Sequence, residues 1–146
     1  MTVGFRVFGN PAPQGSKIPG VSSKTGKMFV REQAGKKLTD WRADVKEAAL
    51  LAKGEEPMIL GAVALTVIFF VPRPASISEK KRPYPVVEPD LDKMVRTIGD
   101  ALQEKTGAGM IKDDKQIIVI SAAKRYATDD QPAGAWIVVS EISTLQ

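Results

Sequence analysis

The sequence predicts a small α/β protein of the α+β kind, in which a mixed sheet carries two helices in the order β-α-β-α-β-β. Three observations point there. The chain has 146 residues, close to the commonest size for a single domain with one core. Two segments place apolar residues at helical spacing and each is followed by a glycine, the residue that most readily ends a helix. Four other segments are rich in β-branched and aromatic residues and are separated by loops.

Each element has its own reason. Val3, Phe5 and Val7 alternate with Gly4 and Arg6 like a half-buried strand, and the run Gly9-Asn10-Pro11-Ala12-Pro13-Gln14-Gly15 stops it. A basic loop is expected at about 10–36, where Met28-Phe29-Val30 is the one strand-like piece; so long an irregular stretch in a small domain is usually functional or mobile. Leu38, Trp41, Val45, Ala48, Ala49 and Ala52 then share one helix face, with Gly54 as the stop. Trp41, at helical spacing with Val45, reads as core and not as a base-stacking platform.

Ile59 to Val71 is almost continuously apolar and reads as a central strand buried on both faces. Pro72 ends it, and a second basic loop, rich in proline, runs over about 72–89 with the cluster Lys80-Lys81-Arg82. A second helix begins near Asp90, with Leu91, Met94, Val95, Ile98 and Leu102 as its stripe and Gly107 as its stop. Gln116 to Tyr126 and Ala135 to Ile142 read as two strands joined through Asp129-Asp130-Gln131-Pro132. Phe69-Phe70 is expected in the core or in a dimer interface.

Composition narrows the chemistry. The chain has no cysteine and no histidine, which excludes disulfides, thiol nucleophiles, thiolate zinc sites, imidazole metal ligands and a Ser-His-Asp triad. Carboxylates, lysine, hydroxyls, backbone and hard metals remain. Freedom from cysteine fits a reducing, cytoplasmic compartment. The longest low-charge stretch, Met58 to Val71, falls short of the roughly 20 residues that cross a bilayer, and the first residues show no targeting signal. The formal charge is +4, unevenly spread. Residues 1–37 hold seven cations and one acid, Glu32, whereas residues 90–146 hold seven cations and nine acids, so a basic front precedes an acidic back. The front suits a polyanion.

The acids carry the chemistry. Asp90 stands where an N-cap belongs, and Asp92 and Arg96, four residues apart, share one face of the helix. Capping and an ordinary surface ion pair would produce the same pattern. Asp113-Asp114 precedes the next strand, and a β-α-β connection returns the chain towards a neighbouring strand, so the two acidic pairs can meet. Clustered carboxylates repel one another unless a cation compensates, and a histidine-free, aspartate-rich site suits Mg²⁺ with substrate phosphate. With basic loops to hold phosphodiesters, the implied reaction is metal-assisted phosphodiester hydrolysis.

Three runs carry a resemblance: Asp90-Leu91-Asp92-Lys93-Met94-Val95-Arg96, Asp100-Ala101-Leu102, and Lys112-Asp113-Asp114-Lys115-Gln116-Ile117-Ile118. They resemble the signature of the RusA family of Holliday junction resolvases, and Val7 to Lys17 is similar to the N-terminal segment of its phage-type members. The resemblance implies a homodimer that binds four-way DNA junctions and nicks strands in pairs with Mg²⁺, or with Mn²⁺ in its place, and no organic cofactor or membrane partner. It implies Asp90, Asp92 and Asp114 as catalytic, metal-binding acids, with Asp113 adjacent. The family's helix lysine falls at Arg96 and its asparagine at Lys93. A guanidinium is effectively never deprotonated, so Arg96 can stabilise charge but cannot relay a proton.

For DNA contact, Lys17, Lys24, Lys27, Lys80, Lys81, Arg82 and Lys93 are the candidates, each equally readable as solvated surface, with Tyr84 as the aromatic beside the basic cluster. Two other readings stay open. One is a PD-(D/E)xK nuclease using Asp90, Asp113 and Lys115; the other is a catalytically silent module that binds branched DNA.

Overall fold

The structure, a computed structural model, describes residues 1–14, 17–21, 28–32 and 35–143, the two short segments by their backbone. Its elements are β1 (Thr2–Phe8), β2 (Lys17–Val21), β3 (Met28–Glu32), α1 (Gly35–Lys53), β4 (Val63–Val71), α2 (Leu91–Leu102), a 3₁₀ turn (Asp114–Gln116), β5 (Ile117–Tyr126) and β6 (Gly134–Glu141). The mixed sheet runs β1-β6-β4-β5. β4 and β5 are parallel and linked through α2, as a β-α-β connection requires, while β6 is antiparallel to both β1 and β4.

The helical stripes end where spacing puts them. Trp41, Val45 and Ala49 of α1, and Met94, Ile98, Ala101 and Leu102 of α2, are buried in one core with Val63, Leu65, Val67, Phe69 and Val71 of β4, and Leu38 is buried outside that cluster. Trp41 and Phe69 belong to the core, whereas Phe70, also buried, lies on the opposite face of the sheet beneath Arg6.

Several expectations change. β4 is central but is covered on one face only: Thr66 is exposed and Ala64 and Ile68 are half-buried, because both helices pack on the same side. The strand also starts later than its apolarity indicates. Ile59 makes an isolated bridge to Ile111, with its N–H on the Met110 carbonyl at 2.9 Å, so this stretch is a shelf for the chain returning from α2. The basic loop at 10–36 contains a two-stranded antiparallel hairpin, β2–β3, of which only the Met28 strand is legible beforehand. β5 and β6, although consecutive, are separated by β4.

α2 stops at Leu102, before the glycine expected to end it. Gly107 serves instead in the tight return. Its neighbour Ala108 donates its N–H to the Ala101 carbonyl at 2.8 Å, and a Cβ at position 107 would lie 2.0 Å from that same oxygen. Only glycine fits there.

Candidate active site in the groove between α2 and β5

Because β5 is the edge strand and α2 covers it incompletely, a groove of about 440 Å³ opens between them. Asp92, Val95, Arg96 and Gly99 line it from α2; Asp114, Ile117, Ile120 and Ala122 line it from the other side. The helix contributes positions i, i+3, i+4 and i+7, one face by the 3.6-residue period. Asp114 lies beside the helix at Gly99. A Cβ built there would lie 3.4 Å from the Asp114 Cβ and 3.8 Å from its Oδ2.

The turn that delivers Asp114 is held on every side. Asp113 caps the 3₁₀ turn, its Oδ1 accepting the Lys115 N–H at 2.9 Å. Gln116 closes a capping box: its Oε1 accepts the N–H groups of Lys112 and Asp113, each at 2.8 Å, while its Nε2 donates to the carbonyls of Ile59 and Gly61. The Asp114 N–H donates to Gln103 Oε1 at 3.0 Å. The Lys115 N–H, followed by the charge of Lys115, a side-chain interaction with Asp114 and the charge of Lys105, holds the Asp113 carboxyl below the usual carboxylate range. Its carboxylate is thus committed to the turn.

α2 is braced from the opposite side. Thr97 Oγ1 donates to the Ala12 carbonyl at 3.0 Å, and the Gln14 N–H donates to the Lys93 carbonyl at 2.9 Å. Arg42 of α1 donates to Gln14 Oε1 at 2.7 Å and lies 4.0 Å from Asp100. Lys124 of β5 fixes the entry to the helix, its ammonium donating to the carbonyls of Val87 and Pro89 at 2.7 and 2.8 Å.

Asp90 lies elsewhere. It stands in the N-cap position of α2 with extended backbone but makes no side-chain cap bond; its Oδ2 is 3.8 Å from Lys93 Nζ. It lines a separate cleft of about 1000 Å³ together with Lys93, Glu88, Asp40, Asp44 and Lys37. Burial, and then the charges of Asp40 and Glu47, push the Asp44 carboxyl up. Among the described residues, no three acids stand close enough to hold one metal ion, and no ion pair within 4 Å joins Asp92 to Arg96. The surface-pair reading of Asp92 and Arg96 therefore has no contact behind it.

The remaining candidates are dispersed. Lys80 and Lys81 are exposed and Arg82 half-exposed on the proline loop, whose backbone is tied down by Arg73: its guanidinium donates to the Arg82 carbonyl and lies 4.1 Å from the Tyr126 ring centre. Tyr84 is exposed on the same loop. Lys17 lies in β2, with its side chain outside the described residues, as are Lys24 and Lys27 altogether. Lys115 is exposed and does not line the groove.

Sequence reasoning passes over Gly99, Gln103, Gln116 and Lys124. One of them had a local signal: Asp113-x-x-Gln116 is an acid–glutamine capping-box spacing. The others act across the fold, where spacing carries no signal.

Comparison with known proteins decides the family. The sequence profile described as "Endodeoxyribonuclease RusA" matches residues 10–134, from the loop that braces α2 to the start of β6. This chain is a RusA-family protein. The match spans the groove, both of its acid-bearing segments and the cleft beside it, so the groove belongs to an endodeoxyribonuclease fold. A further relative is the Bacillus subtilis (strain 168) protein described as "Uncharacterized protein YqaN", 28% identical over 150 residues, an alignment covering 95% of this chain and 96% of the relative. Among the described residues of this RusA-family chain, no helix is long and apolar enough to cross a membrane.

Proposed function

We propose that this protein is a magnesium-dependent endonuclease that resolves four-way DNA junctions by paired nicking, working as a homodimer in the cytoplasm. The observation that carries the reading is that Asp92, Arg96 and Asp114, from two separate segments, line one groove in a RusA-family chain.

The donor set fits the ion. Mg²⁺ is usually held by one or two carboxylates, with waters and substrate phosphate completing its shell, and an open groove with two aspartates offers that arrangement. A bound Mg²⁺, or Mn²⁺, would polarise the scissile phosphodiester and supply an activated water. Arg96, one turn after Asp92, is placed to stabilise the extra negative charge that develops on the phosphate. Asp90 contributes from the adjacent cleft, beside Lys93, where a DNA strand crossing the start of α2 would meet it. Lys80, Lys81 and Arg82 offer the backbone phosphates a sequence-independent grip.

The PD-(D/E)xK assignment has less support, because the Asp113 carboxylate is committed to its own turn and Lys115 lies outside the groove. Support for the dimer comes from β5. Its outer edge is unpaired among the described residues, and Ile118 is exposed along it, a surface that a second copy would cover.

The test is cleavage of four-way junction, flap and linear duplex DNA with Mg²⁺ or with EDTA, alongside sedimentation of the free protein. Symmetric nicks in the junction, dependent on Mg²⁺ and made by a dimer, are expected. Binding without cleavage in any divalent ion would leave the silent DNA-binding module instead.

A further inference from the structure

The sheet has a second face, and among the described residues no helix packs on it. Both helices pack on one side, so the alternate residues of all four strands lie on the opposite side, where Phe8, Thr66, Arg125 and Trp136 are exposed. An open sheet face is ordinarily polar. One end of this one is aromatic and basic. Phe8 and Trp136 are 63% and 43% exposed on it, and Arg125 is exposed at the end of β5. Strand register puts Arg6, Trp136, Ile68 and Ala123 in one row across the sheet and Phe8, Gly134, Phe70 and Arg125 in the next. No outward position on any of the four strands is aspartate or glutamate.

The aromatic rings are held in advance. Arg6 lies 4.7 Å from the centres of both Phe8 and Phe70, bridging the gap between them, and it donates to the carbonyls of Val7 and Ala135. Gly134 lets β1 and β6 approach beneath that bridge: a Cβ there would lie 1.9 Å from the Val7 carbonyl oxygen. Arg6 thus covers one side of the Phe8 ring, and the exposure of Phe8 leaves the other side open. Fixed, solvent-facing rings beside arginines are what unpaired bases stack upon, while the guanidinium charge meets the phosphates. The absence of acids removes the repulsion that a polyanion would otherwise meet.

We infer that the open face of the sheet binds single-stranded DNA, with bases stacked on Phe8 and Trp136 and the backbone drawn to Arg125. The surface lies across the sheet from the acid groove, and the two share β5, so a strand unpaired at a branch can rest on one face while duplex engages the other. This goes beyond the cleavage reading and is measured without it, in EDTA.

The probe is an oligodeoxythymidylate of about 12 nucleotides, within the usual site size of such surfaces. The chain has two tryptophans, and Trp41 is 1% exposed, so quenching of tryptophan emission reports Trp136. The oligonucleotide is expected to quench emission in the wild type. Phe8→Ala should weaken binding roughly fivefold to a hundredfold, the range for losing one stacked base. Arg125→Glu, at an exposed position, should weaken it as well and flatten its salt dependence, and it serves if Phe8→Ala does not fold. Asp114→Asn, in the groove, should leave this affinity within about twofold. Three results would overturn the proposal: no quenching by the oligonucleotide; affinity unchanged in Phe8→Ala and Arg125→Glu; or Trp136→Glu converting a dimer to a monomer with oligonucleotide binding intact, which would make the face a contact between copies. Junction cleavage in Mg²⁺ is followed separately, and its failure would not alter any of these readings.

Discussion

Asp113 and Asp114 are neighbours of the same type at the same turn, yet the fold gives them different work. The Asp113 carboxylate accepts a backbone N–H within its own turn and is held in its charged form. The Asp114 side chain lies against Gly99 and faces the groove that Asp92 lines from the other side. The pair at the start of α2 divides likewise: Asp92 turns to the groove, whereas Asp90 sits in the next cleft beside Lys93. Four acids in a motif become two that share a groove, one that builds it and one that flanks it.

The difference is open to direct attack. Asp114→Asn should lower single-turnover cleavage of a four-way junction by about 10³-fold or more, the scale of losing several kcal/mol of metal-mediated stabilisation, while junction binding persists. Asp113→Asn should stay within about tenfold of wild type and lower the thermal midpoint instead. Equal loss in the two variants would erase the distinction.

Arg96→Ala should cost on the order of 10²-fold in the same assay, the usual scale for removing one electrostatic group from a reacting phosphate. Arg96→Lys should retain substantial activity, since charge survives and only the fork geometry is lost. An alanine variant as fast as wild type would remove Arg96 from the mechanism. A smaller effect is expected at Lys124, whose ammonium ties the 87–89 backbone to β5 and so positions the start of α2. Lys124→Ala should slow cleavage by about tenfold with Lys124→Arg partly restoring it; failure of that rescue would assign Lys124 a role other than positioning.

The smallest effect concerns pH. The folded protein holds the Asp113 carboxyl below its ordinary range, so its stabilising contribution is present above the unfolded carboxylate pKa and is lost as pH falls through the lower, folded value. The gap in thermal midpoint between wild type and Asp113→Asn should therefore be full above about pH 5 and shrink below about pH 4. A gap that grows on acidification would contradict the cap.

What the sequence made legible was local. The stripes of α1 and α2 have a strong period, and burial of Trp41, Val45, Met94 and Ile98 follows from it. The parallel return of β5 beside β4 follows from the β-α-β order. Less was legible where partners are remote. The apolar run of β4 does not reveal that one of its faces stays open, because that depends on which side both helices choose. Acid spacing could not separate Asp113 from Asp114, since the division depends on the hydrogen bonds of the turn and on Gln103 and Gln116, which reach back across it. β2 escaped notice because Lys17-Ile18-Pro19-Gly20-Val21 contains both proline and glycine, residues that argue against a strand.

The central claim is that Asp92 and Asp114, and not Asp113, hold a divalent ion together in the groove. Titration of Mn²⁺ followed by electron paramagnetic resonance, without DNA, tests it most directly. The wild type and Asp113→Asn should bind the ion with similar affinity, and either Asp92→Asn or Asp114→Asn should weaken it at least about tenfold, as loss of one of two charged ligands requires. Unchanged Mn²⁺ affinity in Asp114→Asn, with loss in Asp113→Asn, would contradict it.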